Sequence, residues 1–127
     1  MKVNVQNPVK LQKFLDEVQK GCRARLLDID DILYAARRAE ATLENLAIPK
    51  KAWRGCRVVI EPERVSNSYD GQAEGTGVTI ERTATGWYVI SLGREQCRKK
   101  PYGGNGPEAR LVLTKEAKSA LPDVWHL

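Results

Sequence analysis

Thr76-Gly77-Val78-Thr79-Ile80-Glu81-Arg82-Thr83-Ala84-Thr85-Gly86-Trp87-Tyr88-Val89-Ile90-Ser91-Leu92 is the stretch on which the fold turns. From Thr76 to Arg82 the side chains alternate, with Val78 and Ile80 on one face, which is the period of a half-buried strand. Ala84-Thr85-Gly86 is a hairpin-length link, and Trp87 to Leu92 returns as a β-branched and aromatic run. Two strands joined this closely pair antiparallel.

Working outward, Arg57 to Glu61 reads as another strand, opened after Cys56 and stopped by Pro62. Residues 62–75 form a polar connection whose Ser66-Asn67-Ser68-Tyr69-Asp70-Gly71 is turn chemistry. After the hairpin, a loop from Pro101 through Gly103-Gly104-Asn105-Gly106 to Pro107 precedes a strand at Arg110 to Leu113. Thr114 then caps a short helix that Pro122 ends.

Upstream the period is helical. Asn7 caps and Pro8 opens a first helix carrying Leu11, Phe14, Leu15 and Val18, with Gly21 as its stop. Asp28 opens a second, with Asp30 and Asp31 in the first turn where the helix dipole favours negative charge. Its apolar stripe is Ile29, Ile32, Leu33, Ala36, Ala39, Leu43 and Leu46, and Pro49 bounds it. Arg37, Arg38, Glu40 and Glu44 take the outer face.

The expected fold class is therefore α+β: two N-terminal helices packed on a mainly antiparallel sheet of about four strands, with a short C-terminal helix. Residues 1–127 are expected to form a single domain, helical over 1–55 and sheet over 56–127. The absence of strand–helix–strand alternation argues against a parallel nucleotide-binding sheet.

Composition narrows the setting. Of 127 residues, 42% are hydrophobic and 29% charged, ordinary values for a globular chain. No run approaches the roughly 18 to 20 apolar residues of a membrane span, and no apolar leader is seen, so no membrane partner is expected. Three widely spaced cysteines, Cys22, Cys56 and Cys97, make a poor disulfide framework and point to a reducing cytoplasm. The net charge of +5 is uneven: residues 1–56 hold 11 basic and 7 acidic side chains, residues 57–127 hold 10 and 9. Such a surface suits nucleic acid or an acidic protein partner.

Catalytic patterns are weak. The one histidine, His126, sits next to the last residue and offers no base for a nucleophile. Asp28, Asp30 and Asp31 are explained by helix capping, and Glu61 and Glu63 flank a strand end at Pro62. The glycine-rich loop leads into a strand without a Gly-Lys-Ser/Thr, so it is no phosphate loop. No Cys-x-x-Cys exists for zinc. No catalytic residue, metal or cofactor is expected.

Three cationic clusters remain as binding candidates: Lys20, Arg23 and Arg25; Lys50, Lys51 and Arg54 around Trp53; and Arg94, Arg98, Lys99 and Lys100 just before Tyr102. The last sets four cations within seven residues beside an aromatic, which suits phosphate contact with base stacking, or else keeps an edge strand soluble. Trp87 and Tyr88 lie on opposite sheet faces, so one is expected in the core and the other part-exposed, and both are candidates for a partner-binding aromatic.

The segment Ile48-Pro49-Lys50-Lys51-Ala52-Trp53-Arg54-Gly55, then Asn67-Ser68-Tyr69, the hairpin from Glu81-Arg82 to Gly86-Trp87-Tyr88, and Leu113-Thr114-Lys115-Glu116-Ala117 resemble small, uncharacterised bacteriophage and mobile-element proteins. The resemblance spans about the last two-thirds of the chain. It implies a bacterial host cytoplasm and a non-enzymatic protein that binds and blocks a host factor, in the manner of an anti-CRISPR inhibitor of a nucleic-acid-handling defence complex. It carries over no active-site residues. Direct DNA or RNA binding and a small enzyme using carboxylates are the alternative expectations, for a monomer or homodimer.

Overall fold

The computed structural model describes residues 2–18, 27–61, 74–96 and 108–121. Its elements in chain order are β1 (Val3–Asn4), α1 (Pro8–Val18), α2 (Ile29–Asn45), a 3₁₀ turn (Lys50–Ala52), β2 (Arg57–Glu61), β3 (Glu74–Thr83), β4 (Gly86–Gln96), β5 (Glu108–Val112) and α3 (Lys115–Ser119). The α+β class stands. The sheet has five strands rather than about four, in the order β1-β4-β3-β2-β5, with every pairing antiparallel. The extra strand is β1, two residues long and too short to show alternation. It joins β4 through Val3–Val89 and Asn4–Tyr88, and Val5 N donates to the Trp87 carbonyl at 3.0 Å.

Local chemistry explains the helices. Asn7 Oδ1 accepts from Lys10 N at the start of α1, and the stop expected at Gly21 lies outside the described residues. At α2 the cap is reciprocal: Asp28 Oδ1 accepts from Asp31 N at 3.0 Å, and Asp31 Oδ2 accepts from Asp28 N at 2.9 Å. The helix ends in a Schellman motif: Ala47 N donates to the Glu44 carbonyl, and Ile48 N to that of Leu43, with Ala47 in the left-handed region at φ 57°. Leu46 is therefore the C-cap rather than a helical residue. Thr114 Oγ1 caps α3 by accepting from Ala117 N.

One sheet face carries the core. Val58, Ile60, Val78, Ile80, Trp87 and Val89 are buried there against Leu11 and Leu15 of α1 and Ile32, Ala35, Ala36, Ala39 and Leu43 of α2. A register shift makes this possible. Thr79 faces Ser91 but Ile80 faces Val89, so Ile90 is an extra residue on β4. Val89 and Leu92 are three apart and would point to opposite faces of a regular strand. The bulge places Leu92 opposite Val78 and Val89 opposite Ile80, both on the core side.

The hairpin is tighter than its three-residue reading. Thr83 pairs with Gly86, leaving a two-residue loop at Ala84 and Thr85. Neither loop residue has positive φ; the reversal is taken up by Gly86 at φ +143°.

α1 packs on β1 and α2, and α2 on β2. β5 lies at the far edge of the sheet, and a groove opens between it and α2.

Candidate functional site

Two surfaces stand out among the described residues. The first begins where α2 ends. Pro49 turns the chain into the 3₁₀ turn, closed by Ala52 N to the Pro49 carbonyl (2.8 Å) and Trp53 N to the Lys50 carbonyl (3.0 Å). Gly55 at φ +91° and Cys56 then pin the turn to β3, with Gly55 N donating to the Arg82 carbonyl and Arg82 N to that of Cys56, both at 2.9 Å. Trp53 is 2% exposed, and its indole N–H donates to the Ile48 carbonyl at 2.8 Å. A buried tryptophan therefore forms a fixed base, and Lys50, Lys51 and Arg54 stand on it facing solvent. Lys50 Nζ lies 5.7 Å from the Trp53 ring centroid. None of the three cations has a carboxylate partner among the described residues.

Beneath this turn the polar groups are committed to the fold. Arg82, its side chain 17% exposed, lies 5.6 Å from the Trp53 ring centroid, sets Nε 3.5 Å from Glu40 Oε1 and donates Nη1 to the Thr83 carbonyl. The same Glu40 oxygen accepts the Trp87 indole N–H at 3.0 Å. One carboxylate on α2 thus holds both strands of the central hairpin.

Trp87 is the core member of the aromatic pair, 2% exposed, and Tyr88 is the half-exposed one, with its hydroxyl 3.2 Å from Thr85 Oγ1. Arg94 falls on β4, opposite Thr76. Arg98, Lys99, Lys100 and Tyr102 lie outside the described residues, as do Lys20, Arg23, Arg25, Cys22, Cys97, Glu63, His126 and the loop expected from Pro101 to Pro107; the connection expected over 62–75 lies outside them up to residue 73, while Glu74 and Gly75 belong to β3. Cys56 is a buried thiol donating to the Ala52 carbonyl at 3.7 Å. Among the described residues no group of His, Cys, Asp and Glu is placed to hold a metal, and no helix is long and apolar enough to cross a membrane.

Protein-family models, curated proteins and solved structures were all compared without a match.

The second surface is a groove of about 560 Å³ between α2 and the sheet edge. Val58, Ile60, Ala109 and Leu111 form its floor; Asp31, Tyr34, Ala35, Arg38, Ala39 and Thr42 line its wall. Tyr34 is 61% exposed, with the Arg38 guanidinium 5.7 Å from its ring centroid. Sequence reasoning missed this groove because Tyr34 lies off the apolar stripe of α2, and only the strand order puts β5 beside that helix. The Glu40–Arg82–Trp87 link was hidden for the same reason, its partners being separated by more than forty positions.

Proposed function

We propose that this chain is a non-enzymatic binding protein that docks through cationic surface on an acidic partner and blocks it. The observation that carries this reading is the turn of Lys50, Lys51 and Arg54: three exposed cations without a carboxylate partner among the described residues, on a base fixed by a buried tryptophan. Flexible charges lose side-chain entropy on binding, and a base fixed by Trp53 and the β3 hydrogen bonds reduces what the backbone must lose. The partner class implied by the resemblance to bacteriophage and mobile-element proteins is a bacterial host factor, such as a CRISPR or other nucleic-acid-handling defence complex. Arg98, Lys99, Lys100 and Tyr102 belong to the same proposal as a second cationic contact, and Tyr88 as its exposed aromatic.

Trp53 separates this reading from single-strand nucleic-acid binding. Single-strand binders stack bases on exposed aromatic faces, and the aromatic of this turn is buried. An acidic protein surface needs the cations alone. The test is capture of host proteins from nuclease-treated bacterial lysate by the wild-type chain and by a K50E/K51E/R54E variant. A discrete host protein retained by the wild type and lost from the variant supports the proposal. Equal retention by both removes the turn from it, and retention abolished by nuclease transfers the surface to nucleic acid.

A further inference from the structure

The cationic turn has a neighbour where it enters the sheet. β2 and β5 pair with Arg57 opposite Val112. Carried past the strand ends, that register sets Gly55 opposite Thr114 and Arg54 opposite Lys115. The two segments are close there: a β-carbon on Gly55 would stand 3.0 Å from Thr114 Cγ2, and Gly55 has φ +91°. A residue without a side chain thus lets the turn lie directly against the cap of α3.

This closeness gathers charges of one sign. Arg54, Lys115 and Lys118 are exposed and, like Lys50 and Lys51, have no carboxylate partner among the described residues. Lys115 and Lys118 are three apart and share one side of α3, whose buried residue is Ala117. Glu116, the one acid of α3, projects about 100° round the axis from Lys115 and farther still from Lys118. Like charges held side by side repel, and among the described residues no acid stands between Arg54 and Lys115 to offset this.

We infer, on the docking role already proposed for the turn, that the acidic protein partner reaches from the turn onto α3 and sets one carboxylate between Arg54 and Lys115. Binding then relieves a repulsion that the free chain carries, which scattered surface cations do not offer. Lys118 extends the same contact along α3.

Fluorescence polarisation with labelled poly-L-glutamate at low salt tests this, with a duplex DNA of equal charge in a second arm. The wild type is expected to bind poly-L-glutamate. R54A and K115A should each weaken binding by about threefold. R54A/K115A should weaken it by less than the product of the two, because a shared carboxylate is lost only once. K115E/K118E should weaken binding by about tenfold. K10E/K13E makes the same change in net charge at exposed positions of α1, which packs by β1 at the opposite edge of the sheet, and should weaken binding far less. Circular dichroism melts check that each variant is folded. Loss in K50E/K51E/R54E with none in K115E/K118E, or a loss there no greater than that of K10E/K13E, overturns the inference and leaves the role of the turn standing. Single losses that simply multiply overturn the shared carboxylate. Wild-type binding by K50E/K51E/R54E removes the turn and α3 together, and tighter binding of the DNA than of poly-L-glutamate overturns the choice of an acidic protein.

Discussion

At the scale of single residues, Glu40 does the most. It is the one described carboxylate beside the half-buried Arg82 guanidinium, and it also accepts the Trp87 indole N–H. Truncation leaves a poorly solvated cation and an unpaired donor, each more costly than the interaction itself was worth. E40A is expected to lose about 2–3 kcal/mol of stability, read as a lower urea midpoint with unchanged slope. E40Q, which keeps an acceptor, should lose less, and equal losses would show that the carboxylate charge rather than an acceptor is what Arg82 and Trp87 require. Ala47 offers the opposite case. It occupies a left-handed position at φ 57°, where a β-carbon crowds the following carbonyl. A47G should therefore stabilise by about 0.5–1 kcal/mol, net of glycine's greater freedom when unfolded. A lowered melting temperature would contradict that account.

At the scale of elements, each helix begins where the sequence signals it and each strand is tuned by its neighbours. Asp28 was legible as the cap of α2 because a short acidic side chain before an apolar stripe has few other uses. D28A removes the acceptor for Asp31 N and should cost about 1 kcal/mol, seen as lower thermal stability with the native spectrum retained. The bulge at Ile90 was not legible. Trp87 to Leu92 reads as one regular strand, yet Val89 and Leu92 both reach the core side because Ile90 is skipped in pairing with β3. Deleting Ile90 would leave Val89 and Leu92 two apart, so that both keep the core side and the same partners on β3 and only the bulge is lost. The variant is expected to keep a cooperative, native-like melt, and unfolding well below the wild type would mean that the bulge itself is needed for the fold.

For the molecule as a whole, stability and binding are carried by different groups. Lys50, Lys51 and Arg54 are exposed and have no described acidic partner, so K50E/K51E/R54E should change the melting temperature little while abolishing capture of an acidic partner. In contrast, Leu43 is fully buried between α2 and the sheet, and L43A should cost about 2–5 kcal/mol with binding lost only through unfolding. A melting shift in the charge variant as large as that of L43A would show the turn to be structural. The sequence by itself determined the class of the fold: periods of 3.6 and 2, caps at Asn7, Asp28 and Thr114, and a hairpin-length link all act through neighbours within a few positions, where chain connectivity fixes the partners. It also split Trp87 from Tyr88 across the sheet, because strand parity is local. Only the tertiary structure decided that, among the described strands, β1 closes one edge and β5 the other, that Glu40 meets Arg82 and Trp87, and that Tyr34 lines a groove between α2 and β5. Those outcomes depend on which distant segments pack together, and that choice is made by burial summed over the whole core rather than by any stretch of the chain.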